Sequence, residues 1–187
     1  MNNLLNYFSE VELKIITQMK DLHLKCTVIV TELFKEKKDK AGYPYLGHLF
    51  RVSDRLELEI EKIAALLHDV LEDTEVVEKD LLEVGIPKEI IDIVKIVTPE
   101  NIDKSNFTKE EKLKLYDKEI DKVINSGNIY AIRLKEADML DNYDLERIKL
   151  LPEDQQEWFD EKYGKQLIKL RKVKGEENDR YKINKRK

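Results

Sequence analysis

Apolar positions recur along this chain at three- and four-residue spacing, the period of helices that each bury one stripe. Val11, Ile15, Ile16, Met19, Leu22, Val28, Ile29, Leu33 and Phe34 predict one long helix or two. The entry is a capping box, in which Ser9 and Glu12 each satisfy the other's backbone amide. A charged, glycine-containing loop over 35–42 ends that run. Gly42-Tyr43-Pro44-Tyr45 then predicts a turn, because Pro44 biases Tyr43 away from the helical region. A second helix opens at Leu46 with the stripe Leu49, Val52 and Leu56. Ile63, Leu66, Leu67, Val70 and Leu71 predict a core helix carried through 63–74, with Ala64 and Ala65 small enough for a neighbour to approach closely. Further along, a short helix is closed by Gly85, and another begins at Pro87 and buries Ile90, Ile91, Ile93, Val94 and Val97. Thr108 and Glu111 cap the next. A helix over 129–142 and a last one from Pro152 through Trp158, Phe159, Tyr163, Leu167 and Leu170 complete the pattern.

Composition narrows the class. With 6 Gly and 4 Pro in 187 residues, an all-β fold with many tight turns is disfavoured, and an all-α domain with a sizeable core is expected. Charged residues make up 39% and the net charge is −5, which describes a solvated helical surface without a general nucleic-acid footprint. The single cysteine, Cys26, excludes an internal disulfide, fits a reducing compartment and reads as core packing among Leu24, Val28 and Ile29. No apolar run approaches the ~20 residues of a membrane span, and no signal peptide is visible, so a cytoplasmic protein is expected. One domain over 1–174 is expected, followed by a basic tail over 175–187 whose composition suits disorder.

The chemistry lies inside the apolar stripes. His68 and Glu72 are four apart, as are Asp69 and Asp73, so a continuous helix would stack each pair on one face. Burying such groups without partners is expensive, and a divalent cation with a bound water would satisfy them. Two further positions match: His48 near the start of the second helix, and Asp138, flanked by Ala137, Met139 and Leu140, with Asn142 on the same face. His23 lacks a metal-spaced companion and reads as structural. Two imidazoles and two carboxylates from three helices suit manganese, iron or zinc better than calcium. Glu72 and Asp73 are then placed to hold or deprotonate the water. Lys37, Lys38 and Lys40 form a basic loop that is either a solvated face or a collector of phosphate oxygens. The residues therefore point to a metal-dependent phosphohydrolase and leave its substrate open.

Four segments carry a family resemblance: 42–48 (Gly-Tyr-Pro-Tyr-Leu-Gly-His), 64–74 with its His-Asp-x-x-Glu-Asp-Thr block, 93–98, and 134–142. In this order, over residues from about 40 to 145, the chain resembles the HD superfamily of metal-dependent phosphohydrolases. Within it, the chain is similar to the hydrolase domain of the RelA/SpoT family and the stand-alone small alarmone hydrolases. The resemblance implies an all-helical HD-domain bundle with the metal site between helices, and extra helices at both ends. It implies manganese on His48, His68, Asp69 and Asp138, with Glu72 and Asp73 positioning the attacking water. Lys38, Lys40, Tyr45, Lys135 and Asn142 would line the nucleotide side. The implied reaction removes the 3′-pyrophosphate of guanosine tetra- or pentaphosphate, the alarmones of the stringent response. No arginine precedes the Pro-Tyr turn, where the family usually carries one. A general HD nucleotidase or phosphodiesterase, and a nucleotide-sensing module without turnover, therefore stay open beside the alarmone hydrolase.

Overall fold

The computed structural model describes residues 2–39 and 42–173, without the Arg147 side chain. Lys40 and the tail over 175–187 lie outside the described residues. The chain is helical, and its helices gather into two compact units that divide after Asn101.

The first unit opens with a 3-10 turn, Asn3–Asn6, followed by α1 (Glu10–Gln18), α2 (Leu22–Leu33), α3 (Leu46–Asp54), α4 (Glu59–Leu67), α5 (Val70–Asp73), α6 (Glu78–Glu83) and α7 (Lys88–Val97). The long apolar run at the N-terminus is thus two helices. Asp21 restarts the chain as the cap of α2, its carboxylate accepting from the Leu24 amide at 2.9 Å. The Ser9–Glu12 box forms as expected, with the Ser9 amide donating to Glu12 Oε2 at 2.8 Å. Only Leu13 and Ile16 of α1 turn inward, whereas Val11 and Ile15 are exposed.

Helix α4 is the centre of this unit and packs against α2, α3 and α7. Every residue from Ile63 to Leu67 is buried, against a core that includes Ile29, Val30, Leu49, Val52, Ile91 and Ile93. The N-terminal turn is tied to the segment that follows α5. Asn3 Nδ2 donates to the Glu75 carbonyl at 2.7 Å, and the Asn3 amide donates to Asp80 Oδ1 at 3.1 Å. Asp80 is buried and its other oxygen accepts from the Val77 amide at 2.9 Å, so one carboxylate caps α6 and anchors the N-terminus. Lys25, also buried, donates to the carbonyls of Val84 at 2.7 Å and Thr17 at 3.2 Å, a cation set on two helix C-termini. Burial holds its ammonium below the ordinary lysine range. Gly85 closes α6 at φ +82°, and a Cβ there would come within 3.2 Å of Lys25 Nζ.

The second unit holds α8 (Lys109–Asn125), α9 (Ile129–Asn142), α10 (Leu145–Ile148) and α11 (Glu153–Val173). The Thr108–Glu111 box starts α8, and Asn128 caps α9 through bonds from the Tyr130 and Ala131 amides. Helices α8, α9 and α11 pack on one another around Ile120, Val123, Leu134, Met139, Leu167 and Leu170. Arg171 meets the buried Glu136 at 2.8 Å, joining α11 to α9. Among the described residues, no helix is long and apolar enough to cross a membrane.

Candidate metal centre

The centre is built where α4 stops. The expected continuous helix over 63–74 is interrupted at His68-Asp69, with Asp69 at φ −98° and ψ −2°. The break has a local cause: the backbone N–H of His68 (3.5 Å) and its ring Nδ1 (2.7 Å) both turn to the Ala65 carbonyl. A side chain that takes up a helix carbonyl disturbs the ladder at that point. A carbonyl can only accept, so Nδ1 carries a proton, and Nε2 is the ring nitrogen that a metal would take.

His68 Nε2 lies 3.1 Å from Asp69 Oδ2, and His48 Nε2 lies 3.8 Å from the same oxygen. His48 comes from the first turn of α3, where the 42–45 turn delivers it, and its ring meets that of His68 edge-on at 5.3 Å. All three residues are buried, and their donor atoms fall within 4.8 Å of one another. Two ligands at right angles on an ion with bonds of roughly 2.1 Å sit about 3.0 Å apart, close to the His68–Asp69 spacing. The donor set and its spacing fit a divalent ion.

Tyr45, the residue that caps α3, donates its hydroxyl to Asp69 Oδ2 at 2.5 Å. Its ring stacks in a tilted arrangement on Phe34 at 5.5 Å and on His48 at 5.3 Å. Sequence reasoning placed Tyr45 on the nucleotide side; the structure adds this bond to a ligand carboxylate. Asp73 is exposed and pairs with Lys37, whose Nζ lies 3.9 Å from the Tyr45 ring centroid. Among the described residues, Lys37 is thus the loop lysine that pairs with Asp73. Lys38 is exposed and its backbone bridges to Pro44 across the loop. Nothing local in the sequence separates Lys37 from its lysine neighbours. Glu72 is exposed on α5.

Asp138 lies in the second unit, buried on α9. Lys135 Nζ donates to its Oδ2 at 2.9 Å and Asn142 Nδ2 to its Oδ1 at 2.5 Å, so the two expected substrate contacts both engage this carboxylate. Tyr116 of α8 is buried nearby: burial, then the charges of Asp138 and Glu119, push its phenol well above the ordinary range.

Comparison with known proteins bears on this arrangement. No family model matches the chain. A solved structure described as a metazoan ortholog of SpoT that hydrolyzes ppGpp and plays a role in starvation responses aligns with 84% of this chain and 97% of its own, at TM-score 0.60 and 22% identity. The fold is that of the SpoT ortholog. A curated protein of Mycoplasma pneumoniae, named a probable guanosine-3′,5′-bis(diphosphate) 3′-pyrophosphohydrolase, is 35% identical over 115 residues. That match takes in 57% of this chain but 16% of the relative's length. The SpoT-like fold agrees with the all-helical architecture read from the periodicity.

Proposed function

We propose that this chain is a metal-dependent phosphohydrolase that removes the 3′-pyrophosphate of guanosine tetra- or pentaphosphate. The observation that carries the reading is the convergence of His48, His68 and Asp69 on one point, with the proton of His68 held on the far nitrogen. The relative's name supplies the substrate class. Manganese suits the mixed nitrogen and oxygen donors. Asp138 is the fourth ligand in this proposal, carried by the Lys-Glu-Ala-Asp segment 135–138, and residues 1–174 act as one functional module. A divalent ion in such a site lowers the pKa of a bound water and polarises a phosphoryl oxygen.

The chain's own groups supply the rest. His48, His68 and Asp69 bind the ion, and Tyr45 orients Asp69. Asp73 takes the proton of the attacking water while Glu72, one position before it, orients that water. Lys38, Lys40, Lys135 and Asn142 meet the phosphates and sugar. A reducing cytoplasmic setting suits the single buried thiol.

The test is manganese-dependent turnover on guanosine 3′,5′-bis(diphosphate), its adenosine counterpart, simple 3′-phosphates and nucleoside monophosphates. Pyrophosphate release from the first, abolished by chelator and by His68→Ala, is expected. Activity on monophosphates alone would move the chain to the general nucleotidases, a reading favoured by the absence of arginine before the Pro-Tyr turn. Metal and nucleotide binding without turnover would identify a sensing module.

A further inference from the structure

Asp69 and Asp73 are joined along the backbone, the Asp73 amide donating to the Asp69 carbonyl at 2.9 Å. They are joined a second time through side chains. The Tyr45 hydroxyl holds Asp69, the Lys37 ammonium lies over the Tyr45 ring, and the same ammonium pairs with the Asp73 carboxylate. The circuit closes on itself. Its loop side is tied by a backbone bond, the Tyr45 amide donating to the Lys37 carbonyl at 2.9 Å, and Lys37 also lies 5.4 Å from the Phe34 ring. Both ring distances are within the range of a cation–π attraction.

The Asp73 side of the circuit needs such support. Helix α5 is a single turn of four residues, too short to hold itself by cooperative hydrogen bonding. The Asp73 side chain is 30% exposed, and among the described residues Lys37 is the side chain that pairs with it. An exposed ion pair alone fixes little. Here, however, the lysine is itself held on an aromatic face, so the ammonium is a placed charge and not a freely swinging one.

We infer that Lys37 is a positioning residue, which aims Asp73 at the water beside the metal centre. This rests on the hydrolase reading above, in which Asp73 receives the proton. Lys37 contacts none of the proposed metal ligands named above; its ion pair is with the Asp73 carboxylate. It sets the direction of the carboxylate and keeps α5 in register with Asp69, and misplacement of a reacting group by about 1 Å costs on the order of 10² in rate.

The test uses the full chain loaded with Mn2+ and guanosine 3′,5′-bis(diphosphate) as substrate. Lys37→Met is expected to lower kcat about 10–100-fold with KM changed by less than about threefold, the pattern of a contribution made in the transition state. Its Mn2+ affinity, read by calorimetry, stays within about twofold of the wild type, because no ligand is touched. Lys37→Arg, which keeps the charge and stacks on the ring, recovers kcat to within about threefold. An unchanged kcat in Lys37→Met would overturn the inference, and so would a rise in KM alone, which belongs to a substrate contact. A second measurement needs no turnover: the melting temperatures of Lys37→Met, Asp73→Asn and the double variant in the metal-free protein. Non-additive shifts support the pairing and additive shifts overturn it. A wild type that binds Mn2+ but leaves the nucleotide intact would sink the hydrolase reading, and the melting cycle would still decide the placement of Asp73.

Discussion

Tyr45→Phe isolates one hydrogen bond at the metal centre. The phenyl ring of the variant keeps the contacts to Phe34 and His48 and still lies under the Lys37 ammonium, so only the hydroxyl is lost. That hydroxyl donates to Asp69 Oδ2 at 2.5 Å, a short bond to a charged acceptor. Hydrogen bonds to charged groups contribute about 1.5–3 kcal/mol net, and every 1.4 kcal/mol is tenfold in affinity. Asp69 sits at the helix break, and the Tyr45 hydroxyl is a bond made to its carboxylate oxygen, so its loss acts on the orientation of that carboxylate. Metal affinity should fall roughly 10–100-fold, the usual range for removing a partner of a ligand. The fold should be nearly unaffected, because Tyr45 is only half-buried. Calorimetric titration of metal-free protein with Mn2+ reads the affinity. The melting temperature with and without the ion gives an independent reading, since stabilisation follows the ratio of free ion to its dissociation constant. An affinity within about twofold of the wild type, or tighter binding, would show that the Tyr45 hydroxyl does not orient Asp69.

Three further outcomes are expected. Asp73→Asn should leave Mn2+ binding near normal and cut turnover by roughly 10²-fold or more, the scale of a lost general base; equal loss of metal and activity would make Asp73 a ligand. Gly85→Ala places a side chain at φ +82° against Lys25 Nζ, which should cost about 1–2 kcal/mol and lower Tm by roughly 2–8 °C in a scanning calorimeter. Burial pushes the Cys26 thiol up to about 12, so at pH 8 only about one native molecule in 10⁴ carries the thiolate and a thiol reagent should label Cys26 only after unfolding. The same shift fixes a sign. The folded thiol keeps its proton above the unfolded value of 9.0, so its stabilisation is complete below pH 9 and is lost between pH 9 and about 12. Cys26→Ala should flatten that part of the stability profile, measured by denaturant unfolding across the window.

What the sequence determined by itself is what depends on residues within about one helical turn of each other. The stripes, the capping boxes at Ser9 and Thr108, the buried run Ile63–Leu67 and the stop at Thr98 are of this kind, because period and cap chemistry act locally. So is the adjacency of His68 and Asp69. The meeting of His48 with them was legible as a pattern of buried polar groups in need of a shared partner. Local rules also misled: the same apolar character put Val11 and Ile15 in the stripe, yet α1 buries only Leu13 and Ile16. The same rules carried the central helix past His68, where the imidazole takes the Ala65 carbonyl and ends it. Tertiary structure alone decided the contacts that span long stretches of chain: Tyr45 on Asp69, Lys37 on Asp73, Asn3 on Glu75 and Asp80, and Lys25 on Val84. Each rests on the angle at which helices cross and on which rotamer the packing leaves open, and neither is written in the spacing of residues along the chain.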